Sequence, residues 1–141
     1  MKKDLLKFRK EIDLIDKEII DLISRRGTLA KQVGLTKDDG VIYRPEREAQ
    51  ILAALKKYNK GPLKSESIVN IFKAIISNCR ALEKKLSIAF LGPLGTFSEE
   101  ATRQHFGDNI VTLPTDSIDE IFSHVQSDIS HYGVVPVENS T

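Results

Sequence analysis

The chain has 141 residues, room for one ordinary domain or two small ones. Its 21 basic and 20 acidic residues leave a net charge of +1, which gives no reason to expect nucleic acid or an anionic membrane as partner. No run approaches the roughly 18 apolar residues of a membrane span. No secretory signal follows Lys2, Lys3 and Lys7, and the one cysteine, Cys79, excludes an internal disulfide and fits a reducing cytoplasm.

The stretch from Asp4 to Lys37 reads as one long amphipathic helix. Apolar residues recur at Leu5, Phe8, Ile12, Ile15, Ile19, Leu22, Leu29 and Val33, in steps of three and four. The step between Leu22 and Leu29 lands on Arg26 instead of a hydrophobe, Lys37 lies one step beyond Val33, and Arg9 flanks Phe8. A cation on a face meant for burial is costly unless something anionic meets it. The plain alternative for Arg26 is a salt bridge or a side chain that snorkels to water.

Turn chemistry follows at Thr36–Gly40. Pro45 suits the first position of a second helix, which is expected to run to about Tyr58, with Glu46 favouring its dipole. Asn59-Lys60-Gly61-Pro62 ends it. A third helix is expected from Ser65, as N-cap, to about Lys85. Its seam is Ile68, Phe72, Ile75 or Ile76, Cys79, Leu82 or Glu83, and Leu86, again with a charge at the edge of a core-facing line.

At Ser87 the pattern changes. Strands are expected at Ser87–Leu91, Asn109–Leu113 and Tyr132–Val137, and helices at Thr96–Phe106 and Ser117 to about Ser127. This βαβαβ order is the start of an open parallel sheet. The boundary falls near residues 85–88. The second part is short for a domain and stops just after a strand, so it is expected to be a fragment of something larger.

Arg9, Arg26 and Lys37, then Arg47 and Glu48, then Glu83, put four cations and two acids on or beside apolar faces of three helices. Such a set implies either an internal salt-bridge network or a polar pocket with surplus positive charge. The pocket would take a small ligand with more than one negative charge, such as carboxylates held by Arg forks. No Ser-His or Cys-His pairing, metal-ligand spacing or nucleotide loop is present, and Cys79 reads as core. No cofactor is expected. What remains suits a reaction without a covalent intermediate, driven by positioning and electrostatic preorganisation.

Four stretches carry a resemblance. They are Leu6-x-x-Arg9-x-x-Ile12-Asp13-x-Ile15-Asp16; Arg25-Arg26 ahead of Leu29-Ala30 and Val33-Gly34; Tyr43-Arg44-Pro45-Glu46-Arg47-Glu48; and Ile75-Ile76-Ser77-Asn78-Cys79-Arg80-Ala81-Leu82-Glu83. Together they resemble the all-helical chorismate mutase family, over residues 1–86. Ile88-Ala89-Phe90-Leu91-Gly92-Pro93-Leu94-Gly95-Thr96-Phe97-Ser98, with Gly133-Val134-Val135-Pro136-Val137-Glu138-Asn139-Ser140, resembles the opening of prephenate dehydratase, over residues 87–141. In this order the two resemble the bifunctional chorismate mutase–prephenate dehydratase family.

The resemblance implies a three-helix domain that forms an intertwined helical dimer, followed by a partial α/β segment of a periplasmic-binding-protein-like domain. It also implies a cytoplasmic enzyme of phenylalanine biosynthesis, which rearranges chorismate to prephenate. Arg9 would reach into the partner's pocket, Arg26 would hold a carboxylate, and Lys37 would donate to the ether oxygen. Glu48 would take the substrate hydroxyl, with Arg47 supporting the cluster and Arg44 contributing backbone. Cys79 stands where the family often has a Ser at the carboxylate, and Glu83 where it often has a Gln at the ether oxygen. A carboxyl donates only while protonated. Turnover is therefore expected to fall as rising pH strips Glu83 of its proton, and Glu83→Gln to flatten that fall.

The Gly92-x-x-Gly95 turn could seat an anion at a helix N-terminus. It lacks the Gly-Lys-Ser/Thr of a nucleotide loop, and an ordinary tight turn is the alternative. By resemblance, Thr96, Ser98, Glu138, Asn139 and Ser140 would line a prephenate cleft. The second lobe, the Thr-Arg-Phe motif and the regulatory domain are missing, so no dehydratase activity is expected of these residues. Asn139-Ser140-Thr141 matches a glycosylation sequon by chance. Competing readings are an isochorismate pyruvate lyase-like enzyme and a non-catalytic helical dimerisation or regulatory module.

Overall fold

The structure, a computed structural model, describes residues 1–36, 41 and 43–137. Three helices come first: α1 (Lys2–Thr36), α2 (Pro45–Tyr58) and α3 (Ser65–Glu83). β1 (Ser87–Leu91), α4 (Phe97–Phe106), β2 (Val111–Thr115), α5 (Ile118–Gln126) and β3 (Tyr132–Val134) follow. The fold is thus a helical N-terminal domain leading into a small parallel α/β segment, as expected. None of the described helices is long and apolar enough to cross a membrane.

α1 packs on α3 only through its last turns. Every residue from Met1 to Arg25 is exposed, including the seam residues Leu5, Phe8, Ile12, Ile15, Ile19 and Leu22. The heptad-like pattern predicts burial, and among the described residues of this single chain that face stays exposed. Further along, Gly27 is the one buried residue of α1. A Cβ there would stand 3.0 Å from Leu82 Cδ1 and 3.9 Å from Cys79 Sγ. One at Gly34 would stand 2.6 Å from Glu83 Cδ. The two glycines thus let α3 approach the α1 backbone closely. In a helix interior each costs about 1 kcal/mol of propensity relative to Ala, so packing sets these positions.

α2 starts at Pro45 and carries Glu46 and Glu48 in its first turn and Lys56 and Lys57 in its last, the arrangement that the helix dipole favours. α3 begins one residue earlier than the sequence suggests. Lys64 holds the N-cap position, without a side-chain cap, and Ser65 is the first helical residue. Its hydroxyl lies 3.5 Å from Asn59 Nδ2, which also donates to the Leu63 carbonyl at 2.8 Å. That loop contact replaces the expected cap.

The sheet has the order β2-β1-β3, all parallel. β1 is central, and its Ile88, Ala89 and Phe90 are fully buried, which explains why it reads as an unbroken apolar run. β2 sits two residues later than expected, at Val111–Thr115, because Asn109 is held outside the sheet. Its N–H donates to Ser77 Oγ (3.3 Å) and its side-chain amide to Asn78 Oδ1 (2.8 Å). Val111 N–H donates to the Leu86 carbonyl, and the Thr115 carbonyl accepts from Gly92 N–H. Odd-numbered residues of β2 therefore bond to β1, and Pro114 turns its donorless nitrogen to the outer edge, where proline is tolerated. β3 stops at Val134, three residues short of the sequence reading, and Val135–Val137 form no ladder.

One hydrophobic cluster spans the expected boundary. Tyr43 and Leu86 pack with Ile88, Phe106 and Ile110, and Tyr132 and Val134 close over them. The helical half and the α/β half are therefore joined by shared core.

Candidate active site

A cavity of about 310 Å³ opens between the end of α1, the start of α2 and the end of α3. Arg26, Arg44, Arg47, Glu48, Cys79 and Glu83 line it, with Arg80 and the apolar residues Leu29, Ala30, Val33, Ile51 and Ile76. Six residues singled out from the sequence thus meet in one hollow. Arg26 comes from the buried face of α1, beside Gly27. Arg47 and Glu48 come from the first turn of α2, directly after the Pro45 start that orients it. Cys79 and Glu83 come one helical turn apart on α3. Glu83 lies over Gly34, whose missing side chain makes room for the carboxyl.

Arg80 is the residue that the sequence reading missed. It is 7% exposed and forms a 2.7 Å ion pair, Nη1 to Glu48 Oε2. Its Nη2 donates to the Phe106 carbonyl at the end of α4, and its guanidinium lies over the Tyr43 ring, 5.1 Å from the centroid. A signal was available: Ile76, Arg80 and Glu83 follow one another at steps of four and three, a second line beside the apolar seam. With Arg80 counted, four guanidiniums and two carboxylates border the cavity among the described residues, and one carboxylate is already paired. The net positive charge favours an anionic ligand, and guanidiniums suit carboxylates in particular.

Glu48, expected to take a substrate hydroxyl, holds Arg80 through Oε2 and borders the cavity. Arg9 lies on the exposed part of α1 and does not line this chain's own cavity. Lys37 lies outside the described residues.

Tyr43 forms a pillar beside the site. Its hydroxyl pairs with His105 Nε2 at 2.9 Å, and its ring meets Phe106 and Tyr132 with centroids 5.1 and 5.6 Å away. Burial holds its phenol above the ordinary value near 10, and the Glu48 carboxylate adds to that, while the Arg80 charge opposes it.

A second, larger hollow of about 620 Å³ lies between α2, α3 and the end of α4. Its lining sets Lys73, Arg80 and Arg103 against Glu48 and Asp108 among polar and apolar groups, so the smaller cavity, with its larger surplus of cations, is the better candidate for chemistry. Ile76, Glu48 and Arg80 border both.

In the α/β half, at the turn where an anion seat or an ordinary tight turn was expected, the Glu99 carboxylate accepts from Gly95 N–H at 2.5 Å. Thr96 Oγ1 donates to the Leu91 carbonyl at 3.4 Å, and the Ser98 carbonyl accepts from Thr102 Oγ1 at 2.7 Å. Neither Thr96 nor Ser98 borders the basic cavity. Glu138, Asn139 and Ser140 lie outside the described residues.

A three-helix unit with a guanidinium-walled hollow, leading into a small parallel sheet, defines the class: a helical domain followed by an α/β segment. Residues 8–84 match the family described as chorismate mutase type II, and residues 88–141 match that described as prephenate dehydratase. A Stutzerimonas stutzeri protein named bifunctional chorismate mutase/prephenate dehydratase is 45% identical over 140 residues, covering 94% of this chain and 38% of its own. Its namesake in Pseudomonas aeruginosa is 43% identical over 147 residues, covering 99% and 40%. In Aquifex aeolicus the figures are 40% over 144 residues, 98% and 40%. The chain belongs to the chorismate mutase type II family. It spans about two fifths of the length of these relatives.

Proposed function

We propose that this chain rearranges chorismate to prephenate, as the mutase part of a bifunctional enzyme of aromatic amino-acid biosynthesis in the cytoplasm. One observation carries the reading: Arg26, Arg44, Arg47 and Arg80 converge with Glu48 and Glu83 on one 310 Å³ hollow. In the rearrangement the ether C–O bond breaks as a C–C bond forms, and no proton or cofactor is exchanged. Catalysis then consists of holding the dicarboxylate folded and stabilising charge that grows on the ether oxygen. Arg26 holds a carboxylate, Arg47 supports the cluster, Glu48 takes the hydroxyl, and Lys37 donates to the ether oxygen, with Glu83 beside it. Arg44 and Cys79 complete the wall.

The working unit in this reading is a homodimer of helical domains, residues 1–86, in which Arg9 of each copy completes the other's pocket. The exposed seam of α1 supports it. Covering the exposed half of each of its six leading hydrophobes would contribute about 1 kcal/mol apiece. Residues 87–141 are read as the opening of a dehydratase domain, without turnover of their own.

The test is chorismate disappearance with the unsubstituted chain and with Arg26→Ala. Loss of one buried charge contact to a substrate carboxylate costs about 2–5 kcal/mol, so turnover should fall at least about thirtyfold. Equal rates would remove Arg26 from the site, and no turnover by the unsubstituted chain would sink the reading. The lyase and the non-catalytic module are less favoured, because the relatives named above carry the mutase/dehydratase name.

A further inference from the structure

Arg80 is buried where the two halves of the chain and the basic cavity meet. Its fork is divided between them. Nη1 holds Glu48 Oε2, in the cavity wall, while Nη2 donates to the Phe106 carbonyl, where α4 ends. The Tyr43 ring supports the guanidinium from one side, and Tyr43 is itself tied to α4 through His105 and Phe106. One turn back along α3, Ser77 Oγ accepts from Asn109 N–H, and Asn78 Oδ1 accepts from the Asn109 amide. A chain of direct contacts thus runs from the α4–β2 turn through Arg80 to one oxygen of Glu48.

We propose that Arg80 is a positioning residue for Glu48, and that the α4 end of the α/β half fixes the orientation of Arg80. The inference rests on the chorismate mutase reading of the cavity. A glutamate side chain has three rotatable bonds. An ion pair to one oxygen, made by an arginine that is itself clamped by a backbone carbonyl and a ring, restricts those bonds where the carboxylate borders the cavity. The α/β half therefore contributes to the mutase site without touching substrate. A misplacement of about 1 Å in such a group can cost up to about a hundredfold in rate.

The test is steady-state chorismate turnover by the full chain, with Arg80→Met, Arg80→Lys, Glu48→Gln and the Arg80→Met/Glu48→Gln pair. Arg80→Met should lower kcat/KM about tenfold or more, chiefly through kcat, and Arg80→Lys should recover part of the loss. In the Glu48→Gln background, Arg80→Met should have no further effect, because the group it positions is gone. Gly107→Ala provides an arm that spares both side chains. Gly107 has φ +84°, and a Cβ there would stand 2.4 Å from Ser77 Oγ, so the substitution displaces the turn that carries the Phe106 carbonyl. It should lower kcat/KM several-fold, again only while Glu48 is present.

Rates within twofold of the unsubstituted chain would overturn the proposal. So would an equal loss in the Glu48→Gln background, which marks a purely structural role. If Arg80→Met does not fold by circular dichroism, Arg80→Lys and Gly107→Ala decide in the same way. An unsubstituted chain that turns over no chorismate overturns the mutase reading and this inference together. An active chain indifferent to Arg80 overturns only this one.

Discussion

α1 up to Arg25 and α3 from Ile76 to Glu83 share the same amphipathic spacing and have opposite surroundings. The first carries six seam hydrophobes that are all about half exposed or more, whereas the second is surrounded on three sides. On α3, Cys79 and Leu82 meet α1, Arg80 meets α2 and α4, and Ser77 and Asn78 meet the α4–β2 turn. Periodicity records that a face is meant to be covered, but it does not record by what. Within one chain, α3 finds its cover locally and α1 does not.

The sharpest way to break this contrast is to charge the α1 face. Ile12→Asp with Ile19→Asp should reduce a two-chain mass to a one-chain mass in analytical ultracentrifugation and remove most chorismate turnover, since Arg9 then has no neighbouring pocket. Both positions are exposed in the single chain, so the stability of each chain should move by no more than about 0.5 kcal/mol. A mass that does not change, or one that is already that of a single chain before substitution, would show that no second copy covers the seam.

A smaller effect is expected where α1 and α3 do meet. At Gly27 a methyl would press on the end of Leu82, a flexible contact at 3.0 Å. Gly27→Ala should be nearly neutral, because overpacking of about 1 kcal/mol is offset by a similar gain in helix propensity. Gly27→Val should lower the unfolding free energy by about 1–3 kcal/mol in a denaturant titration. If both variants unfold at the unsubstituted midpoint, the close approach contributes nothing.

The smallest effect concerns the pillar beside Arg80. The Tyr43 phenol is raised mainly by burial, then by Glu48, so the folded chain favours its protonated form. That contribution is fully present below the ordinary value of 10.0 and is lost as pH rises through the higher folded value. Unfolding free energy should therefore decline in base from about pH 10 upward, and Tyr43→Phe should make that decline shallower. Identical slopes would show that the phenol ionises as readily in the folded chain as in the unfolded one.

Much of this was legible because local chemistry and packing agree. Pro45 with its acidic first turn marks the start of α2, and the apolar run at Ile88–Phe90 marks a strand covered on both faces. Arg26 and Glu83 stand out as charges on apolar lines, and both border the cavity. What escaped the sequence was decided by distant partners. Arg80 looks like a solvated neighbour of Cys79 until the Phe106 carbonyl, 26 residues away, is brought beside it. The start of β2 moved because Asn109 is held by Ser77 and Asn78, and Gly95 N–H is met by Glu99. None of these pairings has a local period to reveal it.

Pro114 has a quieter consequence for crowded solution. A parallel sheet with an open rim invites a strand from another molecule to zip onto it, the first step of many aggregates. Along β2 an incoming strand would meet a blank where it needs a donor, so stacking on that flank is penalised before it begins.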